Sequence, residues 1–318
     1  MPERFLNRRA FSTTLLVLCG FLSFIADVRG EDLACGCRAG AGACGCVRRT
    51  ELKSWQIVES QSFRIHHVGQ LSVAERLAPL CEQTRLSLQK RWLADTTKAD
   101  WTPKCDLFLY PSGAEFQRLT RFPMETWGFA DLEIGDGKVW LRRLHVRADD
   151  AQRLDKLLIH ELTHVVLADH FAKHQIPRWA DEGIAVLSEP VARRNEQRRW
   201  LNQETAQGRV FSLKDLASQR QVPRDKRLGD LFYAQSAALV EFLLTERKLP
   251  ESEMLRFVSE SESRGLNAAM SRWFPDVTVT ALETEWRQWM TTSRADIQLA
   301  EDEPRSFRDV ARPALSVD

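Results

Sequence analysis

Apolar residues recur at helical spacing in six stretches of the chain, so that positions three and four apart share one face. The stretches are residues 72–93, 154–167, 177–185, 231–244, 266–274 and 279–290. Pro177 suits the first turn of its helix, where the amide hydrogen that proline lacks has no partner to bond. The pattern therefore predicts one helix after another through most of the second half of the chain.

Three short segments alternate between apolar and polar residues, which is typical of strands. They are residues 63–68, 106–110 and 138–142. Turn sequences lie beside them at 111–113 and 135–137. Residues 51–59 either begin the same sheet or cover a cleft, and the pattern does not decide between these two interpretations.

The composition is that of a soluble domain with a substantial core. The chain has 318 residues, of which 43% are apolar, and its 45 basic and 44 acidic residues leave a formal net charge of +1. Basic runs at 193–194 and 198–199 alternate with acids and glutamines, as on a solvated helix face. With no global positive field, we expect no nucleic-acid partner.

The amino terminus has the organisation of an export signal. Arg4, Arg8 and Arg9 precede a largely apolar stretch at 11–26, and small residues precede Glu31. We predict a signal peptide at about residues 1–30 and a periplasmic or secreted protein. The apolar stretch is shorter than the roughly 20 residues of a bilayer span, so a retained membrane anchor is the lesser alternative. The paired arginines leave a twin-arginine export route open.

Six cysteines remain after the predicted leader, an even number that suits an oxidising compartment. Four of them, Cys35, Cys37, Cys44 and Cys46, form a duplicated Cys-Gly-Cys unit within residues 31–50. This glycine-rich segment cannot form a core, so local disulfides, a thiolate metal cluster or attachment to the cell envelope are its alternatives. Cys81 and Cys105 either pair with each other or remain buried thiols.

The most informative motif is His160-Glu161-Leu162-Thr163-His164, on the predicted helix 154–167. At 100° per residue the two histidines lie about 40° apart on one helical face, so both rings can reach one ion. Glu161 projects from the neighbouring edge of that face, where it can accept a proton from water. Histidines satisfied by hydrogen bonds in the core are the alternative interpretation.

A carboxylate completes the ligand set of a zinc site and leaves a fourth position open. Two acids, Asp181 and Glu182, stand within Trp179-Ala180-Asp181-Glu182-Gly183-Ile184-Ala185. Together with the histidine motif, this block resembles the gluzincin zinc peptidases, and more closely their peptidase MA-like bacterial relatives with Trp-x-x-Glu-Gly-x-Ala. The resemblance identifies Glu182 as the third ligand and Asp181 as its rival.

The resemblance spans roughly residues 54–292 and implies an exported zinc metallopeptidase that acts on peptides or proteins. It implies an α+β fold like that of thermolysin, in which a small mixed sheet packs on the helix of the histidine motif and a mainly helical lobe follows. It also implies that the strand at 138–141 is a sheet edge that pairs with extended substrate. Tyr233 is the candidate donor to the oxyanion, with an ordinary half-buried core tyrosine as the alternative.

Two departures qualify this resemblance. Residues 128–133 read Gly-Phe-Ala-Asp-Leu-Glu where aminopeptidases of the clan carry Gly-x-Met-Glu-Asn, so an endopeptidase is favoured over an aminopeptidase. Val186 stands where thermolysin-like enzymes carry an acid that orients a zinc histidine, and the sequence does not identify a substitute. The alternative function is a catalytically inactive envelope protein that binds its ligand with the same fold. We predict a domain at 51–292 and a flexible tail at 293–318.

Overall fold

The computed structural model describes residues 55–292, together with the backbone of Thr13–Leu18; nothing is described of the Gln152 and Asp155 side chains. The strands are β1 Thr13–Leu18, β2 Gln56–Glu59, β3 Phe63–His67, β4 Cys105–Tyr110, β5 Gly128–Gly135 and β6 Lys138–Arg147. The helices are α1 Leu71–Leu88, continued by a π-helical turn at Gln89–Leu93, α2 Gly113–Thr120, α3 Ala151–His170, α4 Arg178–Ser188, α5 Val191–Ala206, α6 Leu213–Ser218, α7 Lys226–Thr245, α8 Glu251–Arg264, α9 Leu266–Trp273 and α10 Val279–Thr292. The Cys-Gly-Cys segment, the predicted cleavage point and the tail lie outside the described residues.

The sheet is mixed, with strand order β1-β5-β6-β4-β3-β2. The predicted α+β class and small mixed sheet are confirmed, and β2 shows that residues 56–59 belong to the sheet. The prediction that 138–141 is the sheet edge is wrong, because β6 lies between antiparallel β5 and parallel β4. The turn at Gly135-Asp136-Gly137 folds the chain back on itself. Among the described residues from 55 onward, β5 is therefore the outermost strand on this side of the sheet.

Strand β1 lies along the outer side of β5, from Thr13 opposite Ile134 to Leu18 opposite Phe129. These six residues fall inside the predicted leader. If the leader is removed after residue 30, the outer side of β5 becomes a sheet edge with unpaired backbone groups.

The main core lies between one face of the sheet and the helices. Ala130 and Leu132 of β5 and Leu144 of β6 point into it, and Leu158, Leu162 and Val166 of α3 meet them there. Asp150 caps the amino terminus of α3, since its side chain accepts a hydrogen bond from the amide of Arg153 at 3.1 Å. The histidine motif therefore sits on a helix whose opposite face is fixed against the sheet.

The other face of the sheet carries two rows of side chains that cross strands β3, β4, β6 and β5. The rows are Arg64-Asp106-Arg143-Asp131 and His66-Phe108-His145-Phe129. In the second row the rings stack, with centroids 4.4, 5.0 and 4.5 Å apart in strand order. Burial first, and then Arg143 and His66, hold the pKa of His145 well below its usual value.

The six helices predicted from periodicity are confirmed, with ends that differ by a few residues. Pro177 stands just before α4 rather than within its first turn. The basic runs lie on α5, as expected of a helix, but Arg198 is buried and forms an ion pair with Glu241 of α7. This part of the basic face is therefore packed against the domain instead of solvated.

Among the described residues, Cys81 and Cys105 are both buried free thiols, so the disulfide alternative for this pair is wrong. Burial raises the pKa of each thiol. None of the helices within the described ranges combines the length and the apolar character that a bilayer crossing requires.

Candidate metal centre

Helix α3 presents its two histidines to a common point. Both residues are buried, with 4% of His160 and 2% of His164 exposed, and their ring centroids lie 5.0 Å apart. Such burial is costly for imidazole unless each ring nitrogen is satisfied. The separation is the one that the four-residue spacing predicts for successive turns of a helix.

Helix α4 brings the third donor to the same point. Oε2 of Glu182 lies 3.2 Å from Nε2 of His160 and 3.7 Å from Nε2 of His164. One ligand atom from each of the three residues lies within 4.8 Å of the others. The structure thus gathers the three residues that the sequence nominates as ligands.

Two further acids fix the orientation of the histidine rings. Oδ1 of Asp181 lies 2.7 Å from Nδ1 of His164, and Oε1 of Glu189 lies 2.9 Å from Nδ1 of His160. A carboxylate at Nδ1 favours the tautomer that carries its proton there, which leaves Nε2 with a lone pair for a metal. Asp181 thus lies on the Nδ1 side of His164, away from the point where the three candidate donors meet. Glu189 places a carboxylate on Nδ1 of His160, although Val186 offers none.

Arg178, one turn before Glu182 on α4, is a cation of the site that neither sequence motif includes. Its guanidinium lies 2.5 Å from Oε1 of Glu182 and 3.1 Å from Oδ2 of Asp181. Burial opposes ionisation of Glu182, but Arg178 and the two histidines outweigh it and lower the pKa of this carboxyl to about 2. Oε1 thus faces an arginine while Oε2 faces the histidines.

Glu161 lies beside the cluster but outside the donor set. It is fully buried, and neither of its carboxylate oxygens has a hydrogen-bond partner among the described residues. Burial raises its pKa despite the opposing attraction of His160 and His164. A carboxyl with a raised pKa is a better proton acceptor, as general base catalysis near neutral pH requires.

Helix α7 brings Tyr233 to the site. The ring of Tyr233 stands at 66° to that of His160, with centroids 6.4 Å apart. The approach of α7 depends on Gly183, because a β-carbon at this position would lie 2.5 Å from the carbonyl oxygen of Ser236. The glycine that follows the candidate third ligand thus lets α4 and α7 pack backbone against backbone.

A sequence model of the Peptidase MA superfamily matches residues 89–292, more than half of the chain. The chain belongs to the Peptidase MA superfamily. The family was anticipated from the histidine motif and the Trp-x-x-Glu-Gly-x-Ala block, and the match confirms it. No curated protein matches the chain in sequence.

Membership of the Peptidase MA superfamily supports a metallopeptidase-type function, peptide or protein substrates, and the zinc that this family usually binds. The residues fit such an ion. Nε2 of His164 is buried and has no hydrogen-bond partner among the described residues, although Nδ1 of the same ring is bonded to Asp181. Two imidazole nitrogens and one carboxylate oxygen form a donor set typical of catalytic zinc.

Proposed function

We propose that this Peptidase MA domain is a zinc-dependent peptidase that hydrolyses internal peptide bonds. The observation that carries the proposal is the convergence of His160, His164 and Glu182, together with the carboxylates that orient both rings. Two histidines that only fill the core would not require a third buried donor at the same point. They would also not require a buried carboxylate without a hydrogen-bond partner beside them, as Glu161 is among the described residues.

In this proposal, metal binding, proton transfer and stabilisation of the oxyanion fall to different residues of the site. His160, His164 and Glu182 would hold zinc, which when bound supplies Lewis-acid activation of water and of the substrate carbonyl. Glu161 accepts the proton of the attacking water and passes it to the leaving amine. Tyr233, beside His160, donates a hydrogen bond to the oxygen on which negative charge develops.

The outer side of β5 is the surface that we assign to an extended substrate. A strand edge offers alternating amide and carbonyl groups with which a peptide backbone can pair. Residues 128–133 of β5 include Asp131 and Glu133, but Asp131 lies 3.6 Å from Arg143 and is buried. Because the carboxylate of Asp131 already faces Arg143, it is not available to bind the free amino group of a substrate. We therefore favour cleavage of internal peptide bonds over aminopeptidase activity.

Export is the second part of the proposal, and it rests on the leader-like residues 1–30. Cys35, Cys37, Cys44 and Cys46 then serve lifetime or envelope attachment, since their segment precedes β2 and lies far along the chain from α3. Deleting residues 31–50 should leave the melting temperature and zinc content unchanged. Loss of both would place this segment inside the domain.

Two isosteric variants test the mechanism. Glu161→Gln removes the base and keeps the shape, so zinc content and melting temperature should be retained while peptide cleavage falls about 10²-fold or more. Glu182→Gln removes the anionic ligand and should lower zinc affinity itself. Cleavage is mapped on a broad peptide library by mass spectrometry. Equal cleavage by wild type and Glu161→Gln would refute the mechanism, and no cleavage by zinc-loaded wild type would favour the binding-protein alternative.

A further inference from the structure

A cavity of about 420 Å³ opens beside the metal centre. It lies below the turn that joins β5 to β6 and against the carboxyl-terminal half of α3. His164 and Asp181 form part of its wall, so the cavity begins next to one candidate ligand and the acid that orients it. Its volume is within the range of about 300 to 1,000 Å³ that is usual for ligand sites.

The inner wall of the cavity is apolar. Leu167, Ala168 and Phe171 of α3 line it, and Ile176 from the loop between α3 and α4 closes the far side. All four residues are at least nine-tenths buried. A surface of this kind gains free energy when an apolar side chain displaces the water from it.

The rim of the cavity is polar and exposed. Asp136 of the turn and Lys173 of the loop lie at the mouth and carry opposite charges. The methylene groups of Lys173 lie against the turn, since a β-carbon on Gly137 would stand 3.1 Å from Cγ of Lys173. The mouth carries both signs of charge, and the buried carboxylate of Asp181 in the wall is already bonded to His164 and Arg178. A charged side chain therefore gains no unopposed counter-charge in the cavity.

The mouth of the cavity adjoins the outer strand. Ile134 of β5 lines the cavity, and it is also the residue opposite which β1 begins. A backbone paired along β5 therefore reaches the cavity at Ile134. A side chain leaving that backbone has an apolar space to enter beside His164.

We propose that this cavity is the main specificity pocket of the domain and takes a bulky uncharged apolar side chain, such as leucine, methionine or phenylalanine. The proposal rests on the peptidase function above for its substrate. Its ligand chemistry, however, is testable without cleavage. In a hydrophobic pocket, side chains that differ by a few methylene groups are discriminated by about 10- to 200-fold.

Binding of short amides tests the pocket independently of hydrolysis. N-acetyl-leucinamide and N-acetyl-alaninamide are titrated into the zinc-loaded full chain and followed by ligand-observed NMR. We expect leucinamide to bind at least 10-fold more tightly than alaninamide. Ala172→Phe, which narrows the cavity from its half-buried loop side, should abolish this preference, whereas Ala268→Phe on the exposed side of α9 should leave it intact.

A second variant covers a failure of Ala172→Phe to fold. Ile176→Ala enlarges the cavity and should shift preference from leucinamide toward N-acetyl-tryptophanamide. In the peptide library, wild type should prefer bulky apolar residues at one position next to the cleaved bond, and both variants should change that position alone. Equal binding of leucinamide and alaninamide by wild type would overturn the pocket assignment, even if peptides are cleaved. A leucinamide preference without any cleavage would retain the pocket and refute the peptidase function.

Discussion

Asp181→Asn is the substitution whose effect on the metal centre the geometry specifies most closely. The Asp181 carboxylate has two partners, Nδ1 of His164 at 2.7 Å and the guanidinium of Arg178 at 3.1 Å. Both partners are donors, and an ionised carboxylate accepts from both. An asparagine amide has one acceptor and one donor end, so it can satisfy only one of them.

Each orientation of the amide has a cost. If its oxygen faces His164, its NH₂ group faces Arg178, and two donors oppose each other at a site where only 4% of the side chain is exposed. If its oxygen faces Arg178, its NH₂ group faces Nδ1 and favours the tautomer that protonates Nε2, which then cannot bind zinc. Loss of such an orienting partner usually costs 10- to 100-fold in metal affinity, or about 1.4 to 2.7 kcal/mol. We expect the upper end of this range.

Glu189→Gln provides the internal comparison. Glu189 contacts Nδ1 of His160 at 2.9 Å, and its side chain is 11% exposed, so a glutamine can offer its oxygen to the ring and turn its NH₂ group to water. Its effect should lie at the lower end of the range. Zinc affinity is measured by competition with a chromophoric chelator, with Asp230→Asn on the exposed side of α7 as control. Unchanged affinity in Asp181→Asn, or a larger loss in Glu189→Gln, would refute the orientation argument.

Three further predictions concern stability. Gly183→Ala should lower the free energy of unfolding by about 1 to 3 kcal/mol, measured by urea denaturation, because its β-carbon would meet the carbonyl of Ser236; an unchanged midpoint would contradict the close helix packing. Arg178→Gln should lower the melting temperature of the zinc-free protein, since buried Glu182 loses its cation. Bound zinc should reduce the difference in melting temperature between Arg178→Gln and the wild type, and an undiminished difference would contradict the charge argument. Finally, the wild type should lose stability below about pH 6.5, because the unfolded chain takes up a proton that buried His145, with its lowered pKa, does not. One such histidine contributes up to about 1.4 kcal/mol per pH unit, so His145→Phe should give a shallower pH dependence between pH 5 and 7, and identical slopes would refute this assignment.

Helices were predictable here because their apolar residues face one side. Helix α3 buries Leu158, Leu162 and Val166 at helical spacing, and periodicity is the main signal from which a helix can be recognised. The family, the two histidines and Glu182 follow from short motifs with a fixed relation to such a helix. These features are local in sequence.

Strand β5 was missed because its alternation does not look amphipathic. Its core face carries Ala130 and Leu132, but the other face carries Phe129 and then Asp131, which is buried beside Arg143. An ion pair across two strands cannot be recognised from either strand alone. Without β5, the edge of the sheet was assigned to the neighbouring strand.

The orienting acids were unpredictable for a similar reason. Glu189 immediately follows the last residue of α4, and its contact with His160 depends on where the helix ends. Asp181 is adjacent to the candidate ligand, and sequence alone does not say which of the two acids faces the ring of His164 and which faces the metal position. The direction in which each carboxylate points, and not its residue type, distinguishes a candidate metal ligand from an acid that orients a histidine ring.

The backbone contact at Gly183 also limits the motion of α4 relative to α7. Glu182 precedes the glycine on α4, and Tyr233 lies one turn before Ser236 on α7, so sliding of one helix along the other would break the fit at their crossing. Interfaces packed this closely tend to move as one body. We therefore expect the Glu182 carboxylate and the Tyr233 ring to keep their relative position when a ligand binds.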